Sequence, residues 1–142
     1  MTSDLNYSIA MVTVRIIAGM LFFFQGYDKV FRIGGAQLRQ AIRNAMEGKQ
    51  VPEPIIAFIA VFTSWVELIC GFLLVIGFFK FYAIYLLCLS LLIVVTGFSY
   101  VKPMWENNHL FIRLLLLLVL LISPVEWDRF SLDYLYLLSK LN

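Results

Sequence analysis

The sequence predicts an all-α integral membrane protein. It is expected to be a four-helix bundle, with an interfacial amphipathic helix between spans one and two and a short C-terminal amphipathic helix. Three observations predict it. Of 142 residues, 62% are hydrophobic and only 14% charged, where a soluble domain has about a quarter charged. The mean hydropathy is +0.89. The apolar residues also gather into long runs, which distinguishes membrane spans from a greasy soluble core. Unpaired backbone groups in lipid cost several kcal/mol each, so spans must be helical, and no alternation of apolar and polar residues supports a barrel.

A single domain over residues 1–142 is expected from the length. Met1 to Ser8 contains Asp4 but no Lys or Arg, so the basic start of a signal peptide is missing. Neither a small-residue cleavage site nor a lipobox cysteine follows. The first apolar helix is therefore expected to remain as a span.

Span one is expected over about 9–31, with Arg15 inside it and Gln25, Asp28 and Lys29 near its end. Arg32 and Gly34-Gly35 mark the exit. Over about 36–48, Leu38, Ile42, Ala45 and Met46 recur at helical spacing, while Arg39, Gln40, Arg43, Asn44 and Glu47 fill the other face. Such a helix suits the membrane interface. Pro52 and Pro54 open the next helix at its first turn. Ile55 to Tyr100 holds only Glu67 and Lys80 as charges and is too long for one span. Lys80, beside Gly77, marks a tight turn between antiparallel spans at about 55–79 and 81–100. Lys102, Pro103, Trp105, Glu106, Asn107, Asn108 and His109 form the next polar connection. Span four, about 108–123, carries Arg113 near its start and stops at Pro124. Ser131 can cap a last helix over about 131–141, where Leu132, Leu135, Leu138 and Leu141 form an apolar stripe.

Four spans place both termini on one side. Lys29, Arg32, Arg39, Arg43, Lys49 and Lys102 lie on the side of the first and third connections; Lys80, Arg129 and Lys140 lie on the other. The positive-inside rule assigns the first group to the cytoplasm and both termini to the outside.

Charges within spans are the informative residues, because each costs at least ~2.5 kcal/mol at the bilayer centre unless it has a partner or a role. An Arg15–Glu67 pair is the first expectation, with Glu126, Asp128 and Asp133 as competing partners for the arginine. At the opposite surface, Arg113 is expected near Asp28 and Gln25. Two readings stay open. The pairs pin helix packing, or they build a site for a headgroup, a quinone or a proton path. Gly19 and Gly26 on span one, and Gly71 and Gly77 on span two, are expected where helices approach closely.

Other chemistry has little support. Cys70 and Cys88 read as buried structural thiols, and no CxxC motif exists. His109 is the only histidine, so a bis-histidine haem within the chain is not expected. It is placed at the interface beside Trp105. Neither metal cluster, phosphate loop, dinucleotide fingerprint nor nucleophile triad is present. A net charge of +2, with no basic patch interleaved with aromatics, gives no reason to expect nucleic acid.

The segment RIIAGMLFFFQGYDKVF, with Arg15, Gly19, Gly26 and Lys29, resembles the opening signature of the DoxX family. ELICGFLLVIG, with Glu67, Gly71 and Gly77, is similar to its second-helix pattern. Glu106 before span four and the run Ser131-Leu132-Asp133 resemble its closing motif. The sequence departs from the pattern at Pro124 to Phe130, where many members have a Gly-rich turn. The resemblance implies a four-helix protein of the bacterial inner membrane and an accessory subunit of a membrane redox complex, with a quinone link and membrane or periplasmic protein partners. It supplies no catalytic residue to carry over, and the chain is not expected to be an enzyme alone. The alternatives are a structural or assembly subunit without a redox role, and a lipid-binding or transport protein. Candidate site residues are Arg15, Gln25, Asp28, Lys29, Glu67, Glu106, His109, Arg113 and Asp133, with Arg39, Arg43 and Trp105 as candidate partner contacts. No metal site is expected.

Overall fold

A computed structural model describes residues 2–46, 50–99 and 108–141, and among these every regular element is helical. Helix α1 (Thr2–Tyr27) runs directly into a π-helical segment (Asp28–Ile33). It starts well before the expected Ile9. Gly34, at φ 76°, breaks the chain into α2 (Gly35–Ala45). Helices α3 (Glu53–Ile76) and α4 (Lys80–Ser99) form a hairpin, followed by α5 (Asn108–Ile122), a 3-10 turn (Val125–Trp127) and α6 (Leu132–Leu141).

Among the described residues, three helices are long and apolar enough to cross a membrane: residues Asp4–Ile33, Glu53–Ile76 and Lys80–Gly97. The apolar part of α5, Leu110–Ile122, is shorter. At 1.5 Å per residue, α3 extends ~36 Å, more than the ~30 Å hydrocarbon layer. In the bundle α1 packs on α3, α3 on α4, α4 on α5, and α5 returns to α1. Ala18, Phe22, Leu74, Ile84, Leu87, Leu117 and Leu120 fill the centre and are essentially inaccessible. Large apolar side chains such as Phe24, Phe58, Phe72, Tyr82, Leu92 and Ile122 point outward, as a bundle solvated by lipid requires. Several helix hydroxyls are satisfied internally: Thr13, Thr63, Ser64 and Thr96 each donate to the carbonyl four residues back, whereas the buried Ser90 Oγ has no partner among the described residues.

The tightest contact is between α1 and α3, and its glycines set the distance. A Cβ on Gly26 would collide with the Leu68 backbone. One on Gly19 would meet Val75 N at 2.8 Å and Gly71 O at 2.9 Å. One on Gly71 would collide with the Phe23 backbone. Facing residues therefore run 19 against 75, 23 against 71 and 26 against 68, an antiparallel pair in one continuous register. Close approach through small residues is how membrane helices associate when lipid removes the hydrophobic drive.

Helix α2 has the expected amphipathic pattern but a different use for its apolar stripe. Leu38, Ile42 and Ala45, with Met46 just beyond, turn inward to roof a cavity in the bundle rather than facing lipid alone. The outer face carries Arg39, whose Nε donates to Gly35 O at 3.1 Å, and Arg43, which pairs with Glu53 at the start of α3.

The register predicts a sharp contrast. Gly26→Ala should destabilise the detergent-solubilised protein by about 1–3 kcal/mol, because the added methyl meets backbone that cannot step aside. Gly35→Ala, whose Cβ would meet nothing within 4 Å, should leave thermal melting unchanged. Equal melting of the two variants would contradict the register.

Candidate functional site in the bundle interior

Among the described residues the bundle holds two polar clusters, near opposite ends of α1. At the first, Arg15 is 2% exposed and donates to two segments, the end of α3 and the stretch Asp128 to Phe130. Its Nε reaches Asp128 Oδ1 at 3.2 Å. Nη1 reaches Leu74 O at 3.1 Å and Val75 O at 2.9 Å, and Nη2 reaches Phe130 O at 3.1 Å. The last carbonyls of a helix lack intrahelical donors, and the guanidinium supplies them at the end of α3. Lys80, 1% exposed, lies 3.5 Å from Asp128 Oδ2 and donates to Ser123 Oγ at 3.2 Å.

The α3–α4 turn is closed from outside itself. Gly77 caps α3 in the left-handed conformation (φ 72°), where a side chain would collide with Arg15. Phe79 also has positive φ (49°), which is unfavourable for a residue with a Cβ. The Asp133 carboxylate accepts from Phe79 N at 2.9 Å and Lys80 N at 2.7 Å, holding that turn and capping α4. In return Asp133 N donates to Gly77 O at 3.1 Å. Ser131 Oγ accepts from Tyr134 N at 3.1 Å, so it caps α6 as expected. Tyr7 stacks on Trp127 with centroids 4.9 Å apart, fastening the start of α1 to the same segment.

At the second cluster, Lys29 Nζ donates to both Glu67 carboxylate oxygens, at 2.8 and 2.7 Å. Glu67 is 1% exposed. Lys29 lines a cavity of about 340 Å³, together with Gln25, Thr63 and Arg113 and apolar side chains of α2 to α5. Arg113 is near enough to act electrostatically on Glu67, but no ion pair ties it to any described residue. Gln25 Oε1 is buried without a donor.

Two expected pairings are corrected. Arg15 does not meet Glu67. In the α1–α3 register Arg15 is level with the end of α3, about 12 residues or ~18 Å from Glu67, whereas Lys29 falls within about two residues of it. The arginine instead takes Asp128, one of the competing partners. Asp28 does not meet Arg113 either. It is partly exposed and pairs with Arg32 one turn along the π-helical segment, at 3.1 Å, because it faces outward from that segment. Arg113 and Gln25 join the Lys29–Glu67 cluster.

Of the remaining candidates, Asp133 belongs to the Arg15 end, Arg39 and Arg43 lie outside on α2, and His109 is in the first turn of α5. Trp105 and Glu106 lie outside the described residues. Cys70 and Cys88 are free thiols in the apolar core. Among the described residues no group of acidic, histidine and cysteine side chains could hold a metal ion. Lys80 is the residue that sequence reading undervalued. It looked like a turn marker, and its burial depends on Ser123 and Asp128, more than forty positions away.

A family model described as methylamine utilisation protein MauE matches residues 7–106. No curated protein and no solved structure matches the chain significantly. Lys29 and Glu67 lie inside the matched segment, whereas Asp128 and Asp133 lie beyond it.

The two aspartates should differ in weight. Asp128→Ala leaves Arg15 and Lys80 buried without their carboxylate and should cost about 3–5 kcal/mol. Asp133→Ala removes a helix cap and should cost about 0.5–2 kcal/mol. Denaturant titration in mixed micelles measures both, and equal losses would contradict the assignment.

Proposed function

The chain belongs to the MauE family of methylamine utilisation proteins, and from that premise we propose that it is a membrane-embedded accessory subunit of a redox system. The observation that carries this reading is the Lys29–Glu67 pair beside Arg113 at a cavity within the bundle. Ionisable groups are expensive inside a membrane and mark working sites when they face a cavity. The family's description supports a system acting on methylamine or a related amine. The signatures around Arg15 and Glu67, similar to those of the DoxX family, support the redox connection.

In the finer form of the proposal, α5 makes a fourth crossing, completed by interfacial residues at its ends. Both termini then lie on the outer side of a bacterial inner membrane. Catalysis belongs to a partner subunit, in the membrane or the periplasm. Quinone enters as the electron carrier of that assembly. The outer face of α2, with Arg39 and Arg43, is the surface offered to the partner.

Purification in a gentle detergent from the native host tests the reading. A redox protein should co-purify. Glu67→Gln should lower amine-dependent electron transfer in membranes several-fold while the chain still accumulates. Recovery of the chain alone, with electron transfer unaffected by its deletion, would contradict the proposal.

A further inference from the structure

The cavity under α2 has a charge and hydrogen-bond balance that points to one kind of occupant. Its walls are mostly apolar, formed by residues such as Ile42, Met46, Ile59, Ile93, Val94 and Leu110. Its polar groups are Gln25, Lys29, Thr63 and Arg113. Lys29 and Glu67 neutralise one another through two hydrogen bonds. The Thr63 hydroxyl proton is already given to Ile59 O at 2.8 Å. This leaves two unmet demands among the described residues. Arg113 has a guanidinium charge with no carboxylate of its own, and Gln25 Oε1 is a buried acceptor with no donor.

We propose that this cavity binds one amphiphile whose head is a phosphodiester anion carrying a hydroxyl and whose alkyl chain lies along the apolar wall. The phosphate oxygens suit the planar fork of Arg113, which binds such oxygens in pairs. The hydroxyl of the head donates to Gln25 Oε1. The chain covers the apolar lining, which a water-soluble anion would leave bare. A quinone ring offers acceptors only, so it would satisfy neither the charge of Arg113 nor the Gln25 carbonyl. Helix α2 is suited to be the roof of such a site. It follows the π-helical segment at Gly34 and Gly35, where an added Cβ would meet nothing within 4 Å, and is tied to α3 by the exposed Arg43–Glu53 pair. This inference goes beyond the accessory-subunit reading and does not depend on it.

Native mass spectrometry of the full chain in a non-ionic detergent tests it. The titrants are phosphatidylglycerol, phosphatidylmethanol, phosphatidylcholine, glycerol phosphate and a short-chain ubiquinone. One phosphatidylglycerol should be retained per chain, with phosphatidylcholine at least 10-fold weaker and glycerol phosphate not retained. Arg113→Gln should weaken phosphatidylglycerol at least 10-fold, and Arg113→Lys, which keeps the charge but loses the fork, should restore only part of the loss. Gln25→Leu should abolish the preference for phosphatidylglycerol over phosphatidylmethanol, which lacks the hydroxyl. That variant also carries the test if Arg113→Gln does not fold. The proposal is overturned by equal retention of phosphatidylcholine, by binding of glycerol phosphate as tightly as the lipid, or by displacement of the lipid by stoichiometric ubiquinone. Phosphatidylglycerol binding that is indifferent to both Arg113→Gln and Gln25→Leu would overturn it too.

Discussion

The guanidinium of Arg15 is the interaction on which the rest of the bundle depends. A membrane interior supplies no water to satisfy the ends of helices. One side chain on α1 donates to the terminal carbonyls of α3, to the backbone at Phe130 and to Asp128. It thereby joins the first helix, the α3–α4 hairpin and the C-terminal segment at one point. Gly77 is required there because a side chain would occupy the space of the guanidinium. Asp133 completes the arrangement by capping α4. Charge is buried at this end, and nearly all of it is consumed by backbone and by partner side chains.

The opposite cluster has a different character. Lys29 and Glu67 satisfy each other, yet they sit beside a cavity together with Arg113 and Gln25, whose polar groups are not fully used. Asp128 Oδ2 makes no hydrogen bond at the Arg15 end either, but it lies between the Arg15 and Lys80 charges at 3.2 and 3.5 Å, whereas Gln25 Oε1 has no donor against it among the described residues. The α1–α3 register makes the division of labour possible, because it holds Arg15 and Lys29 at different depths against the same partner helix. The family match takes in Arg15, Lys29, Glu67 and Lys80 and stops before Arg113, Asp128 and Asp133, so it covers part of each cluster.

Much of this was legible in the sequence. Composition and apolar runs indicate helical membrane spans, and the small residues mark the α1–α3 contact. Pro52 and Pro54 place the start of α3, and Gly77 with Lys80 places the hairpin. The charges at Arg15, Glu67 and Arg113 stand out against their apolar surroundings. Their partners were harder to read. Depth along a span can be counted from residue number, but the relative offset of two antiparallel helices depends on where backbones touch. Taking Gly26 against Leu68 as the anchor would have separated Arg15 from Glu67. Asp128 and Ser123 come from a segment without strong periodicity, so their closure over Arg15 and Lys80 had no local signal. The inward use of the α2 stripe was equally hidden, since an amphipathic pattern does not say whether its apolar face meets lipid or protein.

In the proposed division, the Arg15 cluster holds the fold and the Lys29–Glu67 cluster serves a ligand or partner. Thermal melting of two charge-free double variants in the same detergent tests it most directly. Lys29→Met with Glu67→Met removes a pair whose members mainly satisfy each other, and such replacements are often neutral or stabilising. It should melt within a few degrees of the parent. Arg15→Met with Asp128→Leu leaves the carbonyls of Leu74, Val75 and Phe130 without their donors, and should lose cooperative melting. The opposite ordering, with the Lys29 and Glu67 variant collapsing and the Arg15 and Asp128 variant intact, would contradict the account.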